Sequence, residues 1–274
     1  MILGAGAHGK VYKGQLADRE VAIKVVESDS RMLRHEALIL KRLSEHEEFP
    51  QYYAVSVWGN HDCIIMELLG PNLHSLWKEC GSKFSLKTTM MVGVQVLDRL
   101  RTLHECGLVH RDIKPQNFVL GLGPQSHTIK MIDYGLSNRY LNRDGRHMYC
   151  RRGLQPLGTL RYMSANCHMG KEPSRRDDLE SMSYMLVEFY QSTLPWHESR
   201  DFFGFKIKPP QQWVEPEDLA ILVQYTRTLA FEKKPDYLLM KNIMQNLMGG
   251  EGEFDWNLTP VAQSNSSSAT SSSD

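Results

Sequence analysis

The chain contains 274 residues, a length that allows one large domain or two lobes with a sizeable hydrophobic core. Its 32 lysines and arginines balance its 32 aspartates and glutamates, so no net field directs the protein to nucleic acid or to a membrane surface. The five cysteines include no Cys-x-x-Cys pair, which argues against a zinc site or a disulfide framework, and no apolar run approaches the roughly 20 residues of a membrane span. We therefore expect no nucleic acid and no membrane as partner, and a location in the cytoplasm or the nucleus.

Three glycines, Gly4, Gly6 and Gly9, lie near the start of the chain in the segment MILGAGAHGKVYKG. A glycine cluster by itself is weak evidence, because it also marks ordinary turns. The alternation of side chains over 10–26 predicts two strands with a turn at 17–19. In a dinucleotide-binding fold a helix would follow the glycines, so this sequence instead predicts a glycine flap between two strands.

The segment 29–45 is predicted to be a helix with a mixed stripe along one side. The stripe consists of Leu33, Glu36, Leu40 and Leu43. A buried carboxylate such as Glu36 needs a cation, and Lys24 in the strand segment VAIK is the candidate. In a nucleotide site the Glu36 carboxylate would hold the Lys24 ammonium group against the α- and β-phosphates. Further strands are predicted at 52–58 and 63–67.

Beyond these strands the pattern becomes helical. Residues 1–66 are predicted to form a β-rich lobe, 67–71 a hinge and 72–259 a helical lobe. The helices are predicted at 85–105, 178–190, 217–230 and 235–248. The serine-rich tail 260–274 has little apolar content and is expected to be disordered, either as an autophosphorylation target or as a solvated end.

The strongest chemical signal is the segment VHRDIKPQNFVL at 109–120, in which polar residues lie between apolar anchors. Phosphoryl transfer needs a carboxylate that orients the attacking hydroxyl, a cation near the moving phosphoryl group and an oxygen ligand for a hard divalent metal. Asp112, Lys114 and Asn117 supply these in order, and Asn117 follows Asp112 by five residues as in the H-R-D-x-x-x-x-N signature. A polar surface turn is the alternative that this match disfavours.

The segment IKMIDYGLS at 129–137 predicts a strand that delivers Asp133 into a turn. An aspartate at a strand end, 16 residues after Asn117, is suited to bind Mg²⁺ together with phosphate oxygens. An ordinary hairpin turn is the alternative, and the neighbouring 109–120 segment disfavours it. Tyr134 stands where this kind of site usually has phenylalanine, and its hydroxyl would need a hydrogen-bond partner.

Taken in order from Leu3 to about Asn257, these features resemble a eukaryotic-type protein kinase, and within that superfamily the casein kinase I family with its tau-tubulin kinase relatives. The resemblance rests on MELLGPNL (66–73), KFSLKTT (83–89), HRDIKPQNF (110–118), GTLRYMSAN (158–166), SRRDDLES (174–181), LPW (194–196), KPDY (234–237) and FDWN (254–257). It implies an α+β, bilobal protein kinase fold. The N-lobe would be small and β-rich with one main helix, and the larger C-lobe mostly helical, with ATP between them.

The resemblance also implies roles for individual residues. The implied ATP-binding residues are Leu3, Gly4, Gly6, Gly9, Val11, Ala22, Lys24, Glu36, Met66, Glu67, Leu69, Val119 and Ile132. Met66 would be the gatekeeper, and the backbone of Glu67 and Leu69 would meet the edge of the base. The implied catalytic residues are Asp112, Lys114, Asn117 and Lys24, and the implied metal ligands are Asn117 and Asp133. Thr159 would support Asp112, and Asp178 would tether the catalytic loop.

By resemblance, the protein is a monomeric protein kinase that uses ATP and Mg²⁺. The resemblance implies serine/threonine rather than tyrosine specificity, because Lys114 follows Asp112 by two residues. The family prefers protein substrates with acidic or phosphorylated segments, and Arg161 matches an arginine of its anion pocket. Leu154 replaces a lysine that helps this pocket, while Arg151 and Arg152 lie close by in sequence. Arginine forks suit phosphate recognition, and a solvated basic turn is the alternative.

Two alternatives to an active protein kinase are weaker. A pseudokinase scaffold would be indicated by losses at Lys24, Glu36, Asp112, Asn117 or Asp133, and all five are retained. A small-molecule kinase lacks support because the segments around 114–115 and 158–166 follow the protein-kinase pattern. Family members carry further residues ahead of the glycine flap, so we expect either a shortened first strand or a start that lies upstream. His8 stands at the flap tip, where an aromatic residue is usual.

Overall fold

The protein is described by a computed structural model over residues 1–6, 9–26, 30–199, 201–250 and 252–258. His8 and the tail 260–274, about which the sequence made predictions, lie outside these residues. Within them, an antiparallel sheet with one helix is followed by a mostly helical part. No helix in the described ranges has both the length and the apolar character needed to cross a membrane.

The N-terminal sheet has five strands in the spatial order β1-β2-β3-β5-β4, and each neighbouring pair is antiparallel. The strands are β1 Ile2–Gly6, β2 Gly9–Leu16, β3 Arg19–Val25, β4 Tyr52–Trp58 and β5 His61–Glu67. Gly6 pairs with Gly9, so the glycines do connect two strands. Gly9 has φ +114°, and a Cβ there would lie 2.3 Å from the Val25 carbonyl oxygen, so only glycine fits.

Helix α1, Ser30–Leu43, packs against β4 and β5 and is the single main helix of the N-terminal part. Its predicted stripe faces inward, since Leu33, Leu40 and Leu43 are almost fully buried. Glu36 is buried beside them, only 4% exposed. The helical period therefore carries a carboxylate into the interior, where it must meet a cation.

The C-terminal part is built around one central helix. Its helices are α2 Leu73–Glu79, α3 Leu86–Glu105, α4 Ala165–His168, α5 Arg175–Gln191, α6 Phe202–Lys206, α7 Glu217–Thr228, α8 Tyr237–Met248 and α9 Asp255–Leu258. Helix α5 is buried along most of its length and packs on α3 and α7. It begins with a capping box in which the Ser174 and Asp177 side chains bond to each other's backbone N–H groups. The four long helices were predicted, whereas α2, α4, α6 and α9 have too few turns to show a period.

Four short strands position the loops 110–117 and 132–137, which carry the predicted catalytic and metal-binding residues. They are β6 Leu108–Val109, β7 Phe118–Leu120, β8 Ile129–Met131 and β9 Asn138–Arg139. Strand β6 pairs with β9, and β7 pairs with β8. The loop 110–117 leaves β6 and the loop 132–137 leaves β8, so these two pairings bring the loops side by side beneath the sheet.

Candidate active site

A cleft of about 890 Å³ lies between the sheet and the helical part. Twelve of the predicted ATP-binding residues line it: Leu3, Gly4, Gly9, Val11, Ala22, Lys24, Glu36, Met66, Glu67, Leu69, Val119 and Ile132. The remaining one, Gly6, lies at the end of β1 opposite Gly9. Apolar side chains from the sheet and from the strands below therefore form the walls that a planar base would need.

An ion pair that the sequence did not predict holds the start of the segment that joins the two parts. Lys130 on β8 is 1% exposed, and its Nζ lies 2.9 and 3.0 Å from the two carboxylate oxygens of Glu67. The Glu67 backbone N–H donates to the Gln51 carbonyl oxygen at 2.9 Å. Any contact between the Glu67 backbone and a base would therefore use its carbonyl oxygen. The Gly70 N–H donates to the Leu120 carbonyl oxygen at 2.8 Å, which connects this segment to strand β7 of the helical part.

Lys24 lies at the centre of a charged group in the cleft. Its Nζ is 2.7 and 2.8 Å from the two carboxylate oxygens of Glu36 and 2.8 Å from Oδ1 of Asp133. Burial by itself disfavours the ammonium, but Glu36 and Asp133 outweigh it and raise the pKa of Lys24 above its ordinary value. The lysine thus remains a cation beneath the glycine flap, and the predicted pairing with Glu36 is observed.

Asp112 is buried and held in one orientation from both sides. Lys114 Nζ donates to Oδ2 at 2.6 Å, while the Thr159 N–H and hydroxyl donate to Oδ1 at 2.9 and 2.7 Å. The Asn117 amide nitrogen donates to the Asp112 carbonyl oxygen at 2.8 Å, which leaves the amide oxygen as the ligand atom of that side chain. The loop therefore brings Asp112, Lys114 and Asn117 together as the sequence predicted.

Asp178 on α5 anchors this loop from below. It accepts hydrogen bonds from the backbone N–H of His110 at 2.7 Å and of Arg111 at 2.9 Å. Arg111 has φ +71°, a strained conformation for a non-glycine residue that these bonds help to hold. The sequence did not identify a third donor: His104 Nε2 lies 3.1 Å from Asp178, and its Nδ1 lies 2.7 Å from the Tyr237 hydroxyl.

The electrostatics of this anchor follow from burial and hydrogen bonding. Burial alone favours a neutral Asp178, but the His104 hydrogen bond and the backbone donors outweigh it and lower the pKa of the carboxyl group. Burial also lowers the pKa of His104, so its ring is neutral at pH 7. A neutral ring that donates Nε2–H to Asp178 accepts a hydrogen bond from the Tyr237 hydroxyl at Nδ1. The anchor is therefore a carboxylate with three donors.

Asp133 follows β8 and lines the same cleft as Asn117. It has φ +66°, so the chain turns sharply at the residue that carries the carboxylate. The Tyr134 ring is buried, and its hydroxyl donates to the Met131 carbonyl oxygen, which is the partner the hydroxyl was expected to need. The carboxylate of Asp133 and the amide oxygen of Asn117 are the hard oxygen ligands that a small divalent cation prefers.

Comparison with known families agrees with this geometry. The family model described as a protein kinase domain matches residues 1–233. The chain belongs to the protein kinase family. The α+β, two-part fold expected from the sequence is thereby confirmed as a protein kinase fold. Membership implies phosphoryl transfer from ATP to protein substrates with the use of a divalent metal ion.

Of the three arginines predicted to bind substrate anions, only Arg161 lines the cleft of the kinase. Its guanidinium contacts the carboxylate of Glu188, a buried residue of α5. Glu188 also accepts a hydrogen bond from the Tyr162 hydroxyl. No sequence pattern marks this carboxylate, because Glu188 lies within a helix whose side chains are mostly buried. Arg161 is therefore paired with a negative charge before any substrate binds.

The other two arginines lie outside the cleft lining. Arg151 contacts both carboxylate oxygens of Glu172, at 2.6 and 3.0 Å. Arg152 is exposed, and Leu154 is half-buried with its N–H bonded to the Gly170 carbonyl oxygen. Arg151 and Arg161 are thus each paired with a different carboxylate, and Arg152 is exposed.

Proposed function

We propose that this kinase transfers the γ-phosphoryl group of ATP to serine and threonine hydroxyls of protein substrates. The observation that carries the proposal is the contact of Lys114 Nζ with Asp112 at 2.6 Å, opposite the two contacts from Thr159. A lysine two residues after the aspartate is the serine/threonine pattern, and here it lies beside the carboxylate it would assist. The lobes we propose are residues 1–66 and 72–259, joined by the hinge 67–71.

In this mechanism Asp112 accepts a hydrogen bond from the attacking hydroxyl and takes its proton as the bond to phosphorus forms. Thr159 fixes the orientation of the carboxylate, so little reorganisation is needed at that moment. Lys114 stands next to the reacting oxygens and stabilises the charge of the transferred group. Lys24, held by Glu36, stabilises the α- and β-phosphates.

We propose Mg²⁺ as the metal, with Asn117 and Asp133 as its protein ligands. The donor set fits, because one carboxylate and one amide oxygen leave positions for water and phosphate oxygens around a hard octahedral ion. When bound, the ion neutralises charge on the β- and γ-phosphates. Asp133 also lies 2.8 Å from Lys24, so the same carboxylate links the ammonium to the metal position.

We further propose a casein kinase I-like preference for serines near acidic or phosphorylated residues. In this proposal Arg161 binds the acidic or phosphorylated group of the substrate. The position of Arg161 in the same cleft as Lys114 and Asn117 supports this. Its pairing with Glu188 means that an incoming anion must compete with an internal carboxylate. We therefore expect a weaker preference than that of a site whose arginine is unpaired, and Glu188 is the residue that limits it.

The test uses the purified full chain with Mg-ATP. Four peptides are compared: a serine peptide primed with phosphoserine, an acidic serine peptide, a basic serine peptide and a tyrosine version of the acidic one. We expect transfer to the acidic and primed serine peptides and none to tyrosine. Asp133→Asn serves as the control for a contaminating kinase. No transfer by wild type, together with no stabilisation of the protein by Mg-ATP in thermal unfolding, would instead favour a pseudokinase scaffold.

Substrate preference is tested with Arg161→Ala and the matched, exposed control Arg152→Ala. Loss of a charge-assisted contact should lower kcat/KM for the primed peptide roughly tenfold, with little change for the basic peptide. Glu188→Gln should act in the opposite direction and increase the preference for the primed peptide. Equal ratios in wild type and Arg161→Ala would exclude the anion role of Arg161.

A further inference from the structure

Lys206, the last residue of α6, is completely buried although it carries an ammonium group. Its Nζ donates to the carbonyl oxygen of Leu160 at 2.8 Å and to that of Met163 at 2.7 Å. The structure places this lysine directly beneath the turn 160–163.

The ammonium group lies in a cage of aromatic rings. It is 4.9 Å from the ring centre of Trp196, 5.2 Å from that of Tyr184 and 5.8 Å from that of Phe202, distances that allow cation–π attraction. The indole N–H of Trp196 donates to the Arg161 carbonyl oxygen at 2.8 Å. Three carbonyl oxygens of the turn 160–163 are therefore bound by Trp196 and Lys206, and His168 Nε2 also lies 3.3 Å from the Leu160 carbonyl oxygen.

Lys206 forms no ion pair with a carboxylate among the described residues. The titratable groups that face it are His168 on α4, whose Nε2 is 3.1 Å away, Glu180 on α5, Arg227 on α7 and Cys167 on α4. Burial, the largest effect, lowers the pKa of Lys206 to about 7, and it lowers that of His168 to about 4. Even as a neutral amine, Lys206 keeps two N–H donors, one for each carbonyl oxygen.

A buried lysine without an ion-pair partner costs more than an apolar side chain of similar size. What it provides here is a pair of hydrogen bonds to the backbone on both sides of Arg161 and Tyr162. Arg161 lines the cleft, and Thr159, next to the turn, holds Asp112. The turn thus connects the lysine below it to the reaction site above it.

We propose that Lys206 is a positioning residue that anchors the turn 160–163 and so determines how well the protein substrate binds. This inference rests on the proposed protein-kinase function, because it assigns the turn to the substrate side of the cleft. It makes a specific demand on kinetics: the KM for the peptide depends on Lys206, while the KM for ATP does not. A merely structural role would change both or neither.

The experiment compares wild type with Lys206→Met, which keeps the length of the side chain but removes the donors. Lys206→Arg restores two or more donors, and Lys208→Met is the matched control, since Lys208 is exposed two residues away. Steady-state kinetics are measured with the acidic serine peptide and with ATP. We expect roughly a tenfold rise in the peptide KM for Lys206→Met, partial rescue in Lys206→Arg and no change in Lys208→Met. The KM for ATP should remain within about twofold throughout.

A second variant and a second readout separate the possible failures. If Lys206→Met does not fold, Lys206→Gln keeps a buried amide nitrogen with two N–H donors and should show a smaller rise in the peptide KM. Hydrogen exchange of the amides at 158–166 should accelerate in the Lys206 variants and not in Lys208→Met. A wild type that phosphorylates no serine peptide would refute the proposed function. An active wild type whose peptide KM is matched by Lys206→Met and Lys206→Gln would overturn the role of Lys206.

Discussion

Replacement of Asp178 by alanine tests whether the loop of Asp112 is held from α5. The carboxylate accepts hydrogen bonds from His110 N–H at 2.7 Å, Arg111 N–H at 2.9 Å and His104 Nε2 at 3.1 Å. Asp178→Ala leaves these three donors in a buried position without their acceptor. Arg111, at φ +71°, also loses a bond that holds its strained backbone.

The expected loss is large. Hydrogen bonds to a charged group contribute about 1.5–3 kcal/mol each. Part of the loss is offset as water or neighbouring groups approach the donors. We therefore expect the free energy of unfolding to fall by about 3–5 kcal/mol, the range for breaking a buried charged network. At about 2–4 °C per kcal/mol for a chain of this size, the Tm should fall by roughly 6–20 °C.

The matched control is Asp98→Ala on α3. Asp98 forms an ion pair with Lys241 at 2.8 Å, but its side chain is 38% exposed, so its loss should cost less than about 1 kcal/mol. Thermal and urea unfolding are followed by circular dichroism, and phosphate transfer is measured alongside. Asp178→Ala should be the less stable variant and the less active one.

The pH dependence supplies a further check on Asp178. Its folded-state pKa is below the ordinary 3.8, so its contribution is fully present above that value and is lost as the pH falls through the lower pKa. The stability difference between wild type and Asp178→Ala should therefore be constant above about pH 5 and shrink below about pH 4. If Asp178→Ala and Asp98→Ala were equally stable, the anchoring role of Asp178 would be refuted.

The remaining predictions concern three other side chains. Lys24→Met leaves the buried Glu36 without its ion pair and should lower the free energy of unfolding, measured in urea, by about 3–5 kcal/mol. The double variant Lys24→Met/Glu36→Leu should recover part of this loss, and an unchanged urea midpoint in Lys24→Met would contradict the prediction. Tyr134→Phe removes the hydrogen bond to the Met131 carbonyl oxygen and should lower the free energy of unfolding by about 0.5–1.5 kcal/mol in the same assay. Phosphate transfer should be retained, and its loss would show that the hydroxyl has a further role. The folded-state pKa of Lys206 is about 7 against an ordinary 10.5, so the unfolded chain binds more protons between these values. The stability of wild type should therefore rise with pH across that window relative to Lys206→Met, and parallel thermal-unfolding curves for the two proteins would exclude this linkage.

Much of the fold and the spacing of the chemical groups follows from the sequence alone. The five long helices and the strands β2 to β5 have clear periods, and the structure places them within a few residues of the predicted positions. The pairing of Lys24 with Glu36 was predictable because a carboxylate in an apolar helical stripe requires a cation. That Asp112, Lys114 and Asn117 lie together in one loop was predictable because their spacing along the chain is local.

The tertiary structure alone decided which distant groups hold these residues. Glu188 pairs with Arg161, Lys130 holds Glu67 at the end of β5, and Lys206 lies beneath the turn 160–163. None of these pairs shares a helical turn or a strand, so no period along the chain marks it. Each is a charged side chain within an apolar stretch, and its partner is set by packing between elements that lie 27 to 63 residues apart. A local pattern can reveal that a buried charge needs a partner, but only the folded chain determines which residue meets it.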